Sequence, residues 1–141
     1  MNVPPPSKDI IELLLSENVI EKGFVGSDAL NIPETFVTAL DVGGTANPRW
    51  LRDNNRVHIR VKAQRNSYME GWETAQKIKD FLLGKSTIMI GDVYYIRFVI
   101  NSDVYFVAYD ENNRPIFAME FTVTREYEVD SDYVGNRDKI C

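Results

Sequence analysis

The stretch from Arg49 to Gly84 constrains this chain most. Val57, Ile59, Val61 and Ala63 alternate with His58, Arg60, Lys62 and Gln64, and a period of two specifies a strand with one buried and one wet face. Ser67-Tyr68-Met69-Glu70 follows. It predicts a capping box, with the Ser67 hydroxyl on the Glu70 N–H and the Glu70 carboxylate reaching back. The helix from Tyr68 to Leu83 then stops at Gly84, a residue suited to a left-handed C′ position. Trp72, Ala75, Ile78 and Leu82 form its apolar stripe, with Glu73, Lys77, Lys79 and Asp80 on the wet side. The most sharply specified segment therefore builds a surface and carries no catalytic constellation.

On either side the pattern is coarser. Pro4-Pro5-Pro6 reads as a stiff lead-in. Ser7 is the expected cap of a helix from Lys8 to about Glu17, with Asp9 favouring its dipole and Ile10, Ile11, Leu13, Leu14 and Leu15 on a wide apolar face. Phe24-Val25 is a short strand or an extended link. A strand spans Glu34 to Val42, a long excursion runs from Gly43 to Asn55, and the basic strand covers Arg56 to Arg65. After Gly84, β segments fall at 87–90, 94–101, 104–109 and 116–127. In the last, Phe117, Met119, Phe121 and Val123 share one face, and Ala118, Glu120, Thr122 and Thr124 the other. The reading is an α+β fold: a single, mainly antiparallel β-sheet with two α-helices packed on one face. With 141 residues, the chain fits one domain from 1 to 141, with an extended lead-in at 1–7 and a polar tail at 128–141. A chain of this size buries about 68–70% of its unfolded surface, enough for a core without staples.

Chemistry is sparse. His58 is the only histidine and Cys141 the only cysteine, which leaves no disulfide and no zinc pattern. The single cysteine suits a reducing compartment. Asp103, Asp110, Glu111 and Asp130 lack the spacing of a Ca²⁺ loop. Gly43-Gly44-Thr45 lacks the Lys-Ser/Thr that completes a phosphate loop. Neither a catalytic residue nor a cofactor or metal site is expected. No apolar run approaches the ~20 residues of a membrane helix, and the N-terminus lacks a signal-peptide pattern, so a soluble protein is expected.

Charge is more telling. The net charge is −5, which disfavours nucleic acid as the main partner. Yet Arg49, Arg52, Arg56, Arg60, Lys62 and Arg65 stand against one acid, Asp53, while Glu126, Glu128, Asp130 and Asp132 stand against no base. Two such segments suit head-to-tail docking of one copy on the next, or are simply two solvated faces. Trp50, beside Arg49 and Arg52, belongs to the same candidate surface. The aromatic residues Tyr94, Tyr95, Phe98, Tyr105, Phe106, Tyr109, Phe117, Phe121 and Tyr127 read as sheet filler, since few basic residues accompany them as a strand-binding platform would need.

Several segments together resemble the small tail-terminator proteins of long-tailed bacteriophages, also filed as minor capsid or tail-completion proteins. They are Thr38-Ala39-Leu40-Asp41, the basic strand Val57-His58-Ile59-Arg60-Val61-Lys62, the helix Gly71-Trp72-Glu73-Thr74-Ala75-Gln76-Lys77-Ile78 and the closing Phe121-Thr122-Val123-Thr124-Arg125. The resemblance implies a structural virion protein without enzymatic activity. It would form a homohexameric ring on the head-proximal end of the tail tube, stop tube polymerisation and present a surface to the neck or head-completion proteins. Its partners would be itself, the tube protein and the neck protein, with double-stranded DNA passing through the lumen unread. It would be assembled in the host cytoplasm and reside in the virion tail. The rival readings are another neck component, such as a stopper or adaptor, a small-molecule-binding α+β domain, and a nucleic-acid binder using Arg49 to Arg65.

Overall fold

The computed structural model describes residues 4–27, 32–46, 52–91 and 93–127. Eight elements follow in order: α1 (Pro6–Ser16), β1 (Gly23–Val25), β2 (Phe36–Ala46), β3 (Arg52–Lys62), α2 (Tyr68–Leu83), β4 (Ser86–Ile90), β5 (Val93–Tyr109) and β6 (Pro115–Tyr127). The strands form one six-stranded sheet in the order β1-β2-β3-β6-β5-β4. The class is α+β, but the sheet is mixed and not the mainly antiparallel one expected. β1 runs parallel to β2, because the chain leaves β1 through residues 26–35 and returns in the same direction. The pairings β2–β3, β3–β6, β6–β5 and β5–β4 are antiparallel.

The alternation in β3 translates directly into burial. Val57, Ile59, Val61 and Ala63 are inaccessible to solvent, while His58, Arg60 and Lys62 are half-buried on the other face. Register places Val57 opposite Phe121, Ile59 opposite Met119 and Val61 opposite Phe117, so β6 continues the apolar layer. One core cluster joins these residues to Ile10, Ile11 and Leu14 of α1 and to Ala75, Ile78 and Leu82 of α2. At about 1.5–3 kcal/mol per fully buried large aliphatic side chain, this layer dominates the stability of the fold. Gly71 lets α2 approach closely: a Cβ there would lie 2.6 Å from the Phe117 ring and 2.9 Å from the Ala63 Cβ.

Several boundaries differ from those the sequence suggested. α1 begins at Pro6, in the first turn where a missing N–H costs nothing, and Ser7 lies inside the helix instead of capping it. The Ser67–Glu70 capping box does not form. Ser67 makes no side-chain cap bond; its hydroxyl turns toward the Arg65 carbonyl, and Glu70 instead accepts from the Thr35 hydroxyl. Gly84 is right-handed, at φ −79°. β2 runs on through Gly43 and Gly44 to Ala46, and β3 starts at Arg52, so most of the excursion expected from Gly43 to Asn55 is strand. A register shift between Asp41 and Gly44 absorbs the glycines. Gly44 has φ +143°, and a Cβ would meet the Asn54 carbonyl oxygen at 2.2 Å; only glycine allows β3 so close. The segments expected at 94–101 and 104–109 are one strand, β5, whose register shifts repeatedly against β6, including on both sides of Ser102. Bulges let the chain absorb Asn101-Ser102-Asp103 without leaving the sheet.

Candidate assembly surfaces

The exposed features that stand out are the sheet face that carries the basic residues and the two sheet edges; a buried polar seam lies beneath α1. Arg49, Trp50, Glu128, Asp130 and Asp132, five of the interaction candidates, lie outside the described residues.

The remaining basic candidates belong to β3. Arg56, Arg60 and Lys62 alternate with the core residues and share a face with His58. Each has local company. The Arg56 guanidinium lies 3.9 Å from the Glu120 carboxylate and donates to the Val42 carbonyl. Lys62 pairs with Asp110 at 2.9 Å, both largely shielded, and Arg60 also has an interaction within the chain. Burial pushes the Asp110 carboxyl up, but the Arg114 amide, Lys62 and the Asn112 amide together hold it below the usual carboxylate range. Burial and the neighbouring Arg60 hold the His58 imidazole below its ordinary value, with Glu120 partly offsetting them. Arg52 lies directly across from Glu126 in the β3–β6 register, and Asp53 across from Arg125. Register thus sets one residue of the basic segment, Arg52, beside one of the acidic segment, Glu126, within a single copy.

The seam beneath α1 has no counterpart in the sequence reading. The Tyr95 hydroxyl donates to the Asp9 carboxylate at 2.5 Å, in a buried setting. Arg125, 7% exposed, donates to the Pro4 carbonyl. The Ser7 amide and hydroxyl donate to the two Asp41 oxygens at 3.1 and 2.7 Å. Burial raises the Asp9 carboxyl, against the Tyr95 bond and Arg125, and raises the Tyr95 phenol further. The one available signal was Asp9 placed next to Ile10 and Ile11, which a dipole argument had already explained.

Arg114 was also missed. Its guanidinium donates to the carbonyls of Ala63, Ile32 and Glu34 and lies over the Phe36 ring at 5.2 Å. It ties the end of β3 to the entry of β2. Of the aromatics read as filler, Tyr95, Phe98, Phe117 and Phe121 are buried, but Tyr94, Tyr105, Phe106 and Tyr109 are exposed. Phe106 stands among Tyr68, Tyr109 and Phe117 with ring centroids 5.1–5.7 Å away.

A cleft of about 240 Å³ between the α1–β1 turn, β2 and α2 is lined by Glu21, Lys22, Glu70 and Lys77, among others. Its charges alternate in sign and converge on no single ligand type. Among the described residues no group of three His, Cys, Asp or Glu is placed to hold a metal ion, and no helix is long and apolar enough to cross a membrane.

No curated protein matches the chain. The family model described as "Bacteriophage tail terminator protein" matches residues 27–127, which takes in every strand from β2 to β6 together with α2. That is well over half of the chain, and the chain accordingly belongs to the bacteriophage tail terminator family, a structural component of the virion tail.

Proposed function

We propose that this chain closes the head-proximal end of the tail tube as a homohexameric ring, stops tube polymerisation and presents the joining surface to the neck or head-completion proteins. Membership in the tail terminator family over residues 27–127 carries this reading. In it the chain acts as one domain, catalyses nothing, and is assembled in the host cytoplasm. Double-stranded DNA crosses the lumen without being read. Residues of both helices share one core cluster with the buried face of β3 and β6, and in this reading the face of Arg56, His58, Arg60, Lys62 and Glu120 is left for neighbouring subunits, tube or lumen. Arg49, Trp50, Arg52, Glu126, Glu128, Asp130 and Asp132 stay candidates for contacts with a neighbouring subunit, the tube or the neck. The ion pairs of Arg56 and Lys62 within the chain mean that any docking there works by shape and register as much as by net charge.

The test is cryo-electron microscopy of tubes grown from the cognate tube protein with and without this chain. A ring of the chain at one end only, with tube length arrested, is the expected result. Tubes that grow unchanged, with no ring, would remove the terminator reading and bring forward a stopper or adaptor on the portal side.

A further inference from the structure

We propose that successive copies of this chain join edge to edge through their sheets, with β1 of one copy pairing antiparallel with the outer edge of β5 in the next; the proposal rests on the ring reading above and specifies its interface. β5 has 17 residues, but β4 pairs only with the part from Val93 to Arg97. From Phe98 to Tyr109 its outer edge has no strand neighbour among the described residues. A long open edge is a template for strand addition, and folded proteins usually blunt one with lysines, prolines or short length. Between Phe98 and Tyr109 this edge has no lysine and no proline; it does carry one acid, Asp103, and bulges around Ser102 and between Phe106 and Ala108, so the regularly paired part open to addition is centred on Tyr105 and Phe106. It displays Val99, Tyr105, Val107 and Tyr109, each 42–50% exposed, and Tyr68 and Met69 of α2 add exposed apolar surface near Phe106. An apolar patch on an open edge marks a contact surface.

The opposite edge of the same sheet is its complement. β1 covers β2 only from Val37 to Ala39, so β2 from Leu40 onward is open among the described residues. The two short strands lie at opposite ends of the sheet. Register carries Phe24 through Thr38, Arg60 and Ala118 to Tyr105, which puts β1 level with the open part of β5. It carries Ser86 through Arg97, Thr124 and Asn54 to Thr45, which puts β4 level with the end of β2. Two copies set side by side therefore interlock: β1 fills the gap beside β5, and β4 the gap beside β2. Chain direction agrees. β1 and β5 run oppositely in one copy, so a rotation about an axis along the strands brings them together antiparallel. Such a contact joins two different surfaces and closes into a ring when the rotation closes.

Charge is a weaker cue, because Glu21 stands beside Lys22. Asp103, Asp110 and Glu111 mark the β5 edge and its turn, whereas Lys22 precedes β1 and the Arg56 guanidinium reaches the β2 edge at Val42. Four of these five already have partners in their own chain, namely Lys79, Lys62, Glu34 and Glu120, so their complementarity orients the copies more than it holds them.

Two measurements on rings assembled at tube ends test the joint. Amide hydrogen exchange of the unmodified chain should slow at least about tenfold at residues 98–109 and 23–25 on assembly. In a Cys141→Ser background, Phe24→Cys with Tyr105→Cys should oxidise to a covalent ladder of whole-chain multiples. Rings that arrest the tube while both segments exchange as in the free chain would overturn the joint and leave the ring reading intact. Protection of 98–109 alone, with Tyr105→Cys crosslinking to tube protein bearing a cysteine, would overturn it in favour of a tube strand. Slow exchange at 98–109 in the free chain, abolished by ending the chain at Tyr127, would overturn it in favour of the chain's own tail. Unchecked tubes without rings would fell the ring reading and the joint together.

Discussion

Buried polar residues decide how α1 is seated. Asp9 is 3% exposed and takes its hydrogen bond from Tyr95. Because burial and the Asp9 contact push the phenol above its ordinary range, Tyr95 stays a donor at any working pH. Tyr95→Phe keeps the ring stacked on Phe98 but leaves a buried carboxylate short of a donor. The expected cost is about 1–3 kcal/mol, measured as a lower urea midpoint at unchanged m. His58 gives a pH signature. Its folded-state pKa lies below 6.5, so the unfolded chain takes up the proton first. The His58 contribution is fully present above about pH 6.5 and is lost as pH falls through the lowered folded-state value. His58→Gln should therefore flatten the fall in stability below pH 6.5 and leave stability above pH 7 nearly unchanged in a pH series of thermal melts. A series that falls equally steeply with and without His58 would show that carboxylates alone set the acid limb.

Elements with one strong periodic signal were legible in the sequence, and those shaped by contacts far along the chain were not. β3, α2 and β6 announce themselves through Val57-Ile59-Val61, Ala75-Ile78-Leu82 and Phe117-Met119-Phe121-Val123, all buried as their spacing requires. The Ser67–Glu70 cap failed because Thr35, on the approach to β2, competes for the Glu70 carboxylate. Gly43-Gly44 looked like a loop because glycines usually punctuate, yet both lie in β2 and Gly44 serves a close strand approach. The surfaces were less legible still. The charge segments were visible, but the pairing of Arg52 with Glu126 in register depends on strand order, which no local pattern encodes. Arg114 shows the same dependence, since its three carbonyl partners come from segments 51 to 82 residues away. A lysine keeps the charge but has no planar fork. Arg114→Lys should then cost about 1–3 kcal/mol and speed amide exchange around residues 63–66 and 34–37 before the rest of the sheet. Uniform acceleration across all strands would instead mean that Arg114 only adds to global stability.

At the scale of the whole molecule, the family match and the folding unit do not coincide. The match begins at residue 27, but the core does not: Ile10, Ile11 and Leu14 of α1 are 0–3% exposed within the same cluster as Val37, Val57 and Ile59. At about 1.5–3 kcal/mol each, exposing these three side chains would forfeit roughly 5–9 kcal/mol, a loss on the scale of the whole 5–15 kcal/mol net stability of a typical domain. Removing α1 would also strip Asp9 from Tyr95, Ser7 from Asp41 and the Pro4 carbonyl from Arg125, which leaves polar groups in an uncovered apolar layer. A chain starting at residue 27 should therefore lose cooperative unfolding and expose apolar surface, read as a vanished calorimetric peak and strong binding of a hydrophobic dye. A chain ending at Tyr127 retains every element from α1 to β6 and should melt within a few degrees of the full chain. If the chain from 27 melts cooperatively, α1 is an appendage, and the seam of Asp9, Tyr95 and Arg125 serves something other than stability. If it collapses as expected, the segment before residue 27 belongs to the folding unit, and any surface offered to tube or neighbour is built on a sheet that α1 holds in shape.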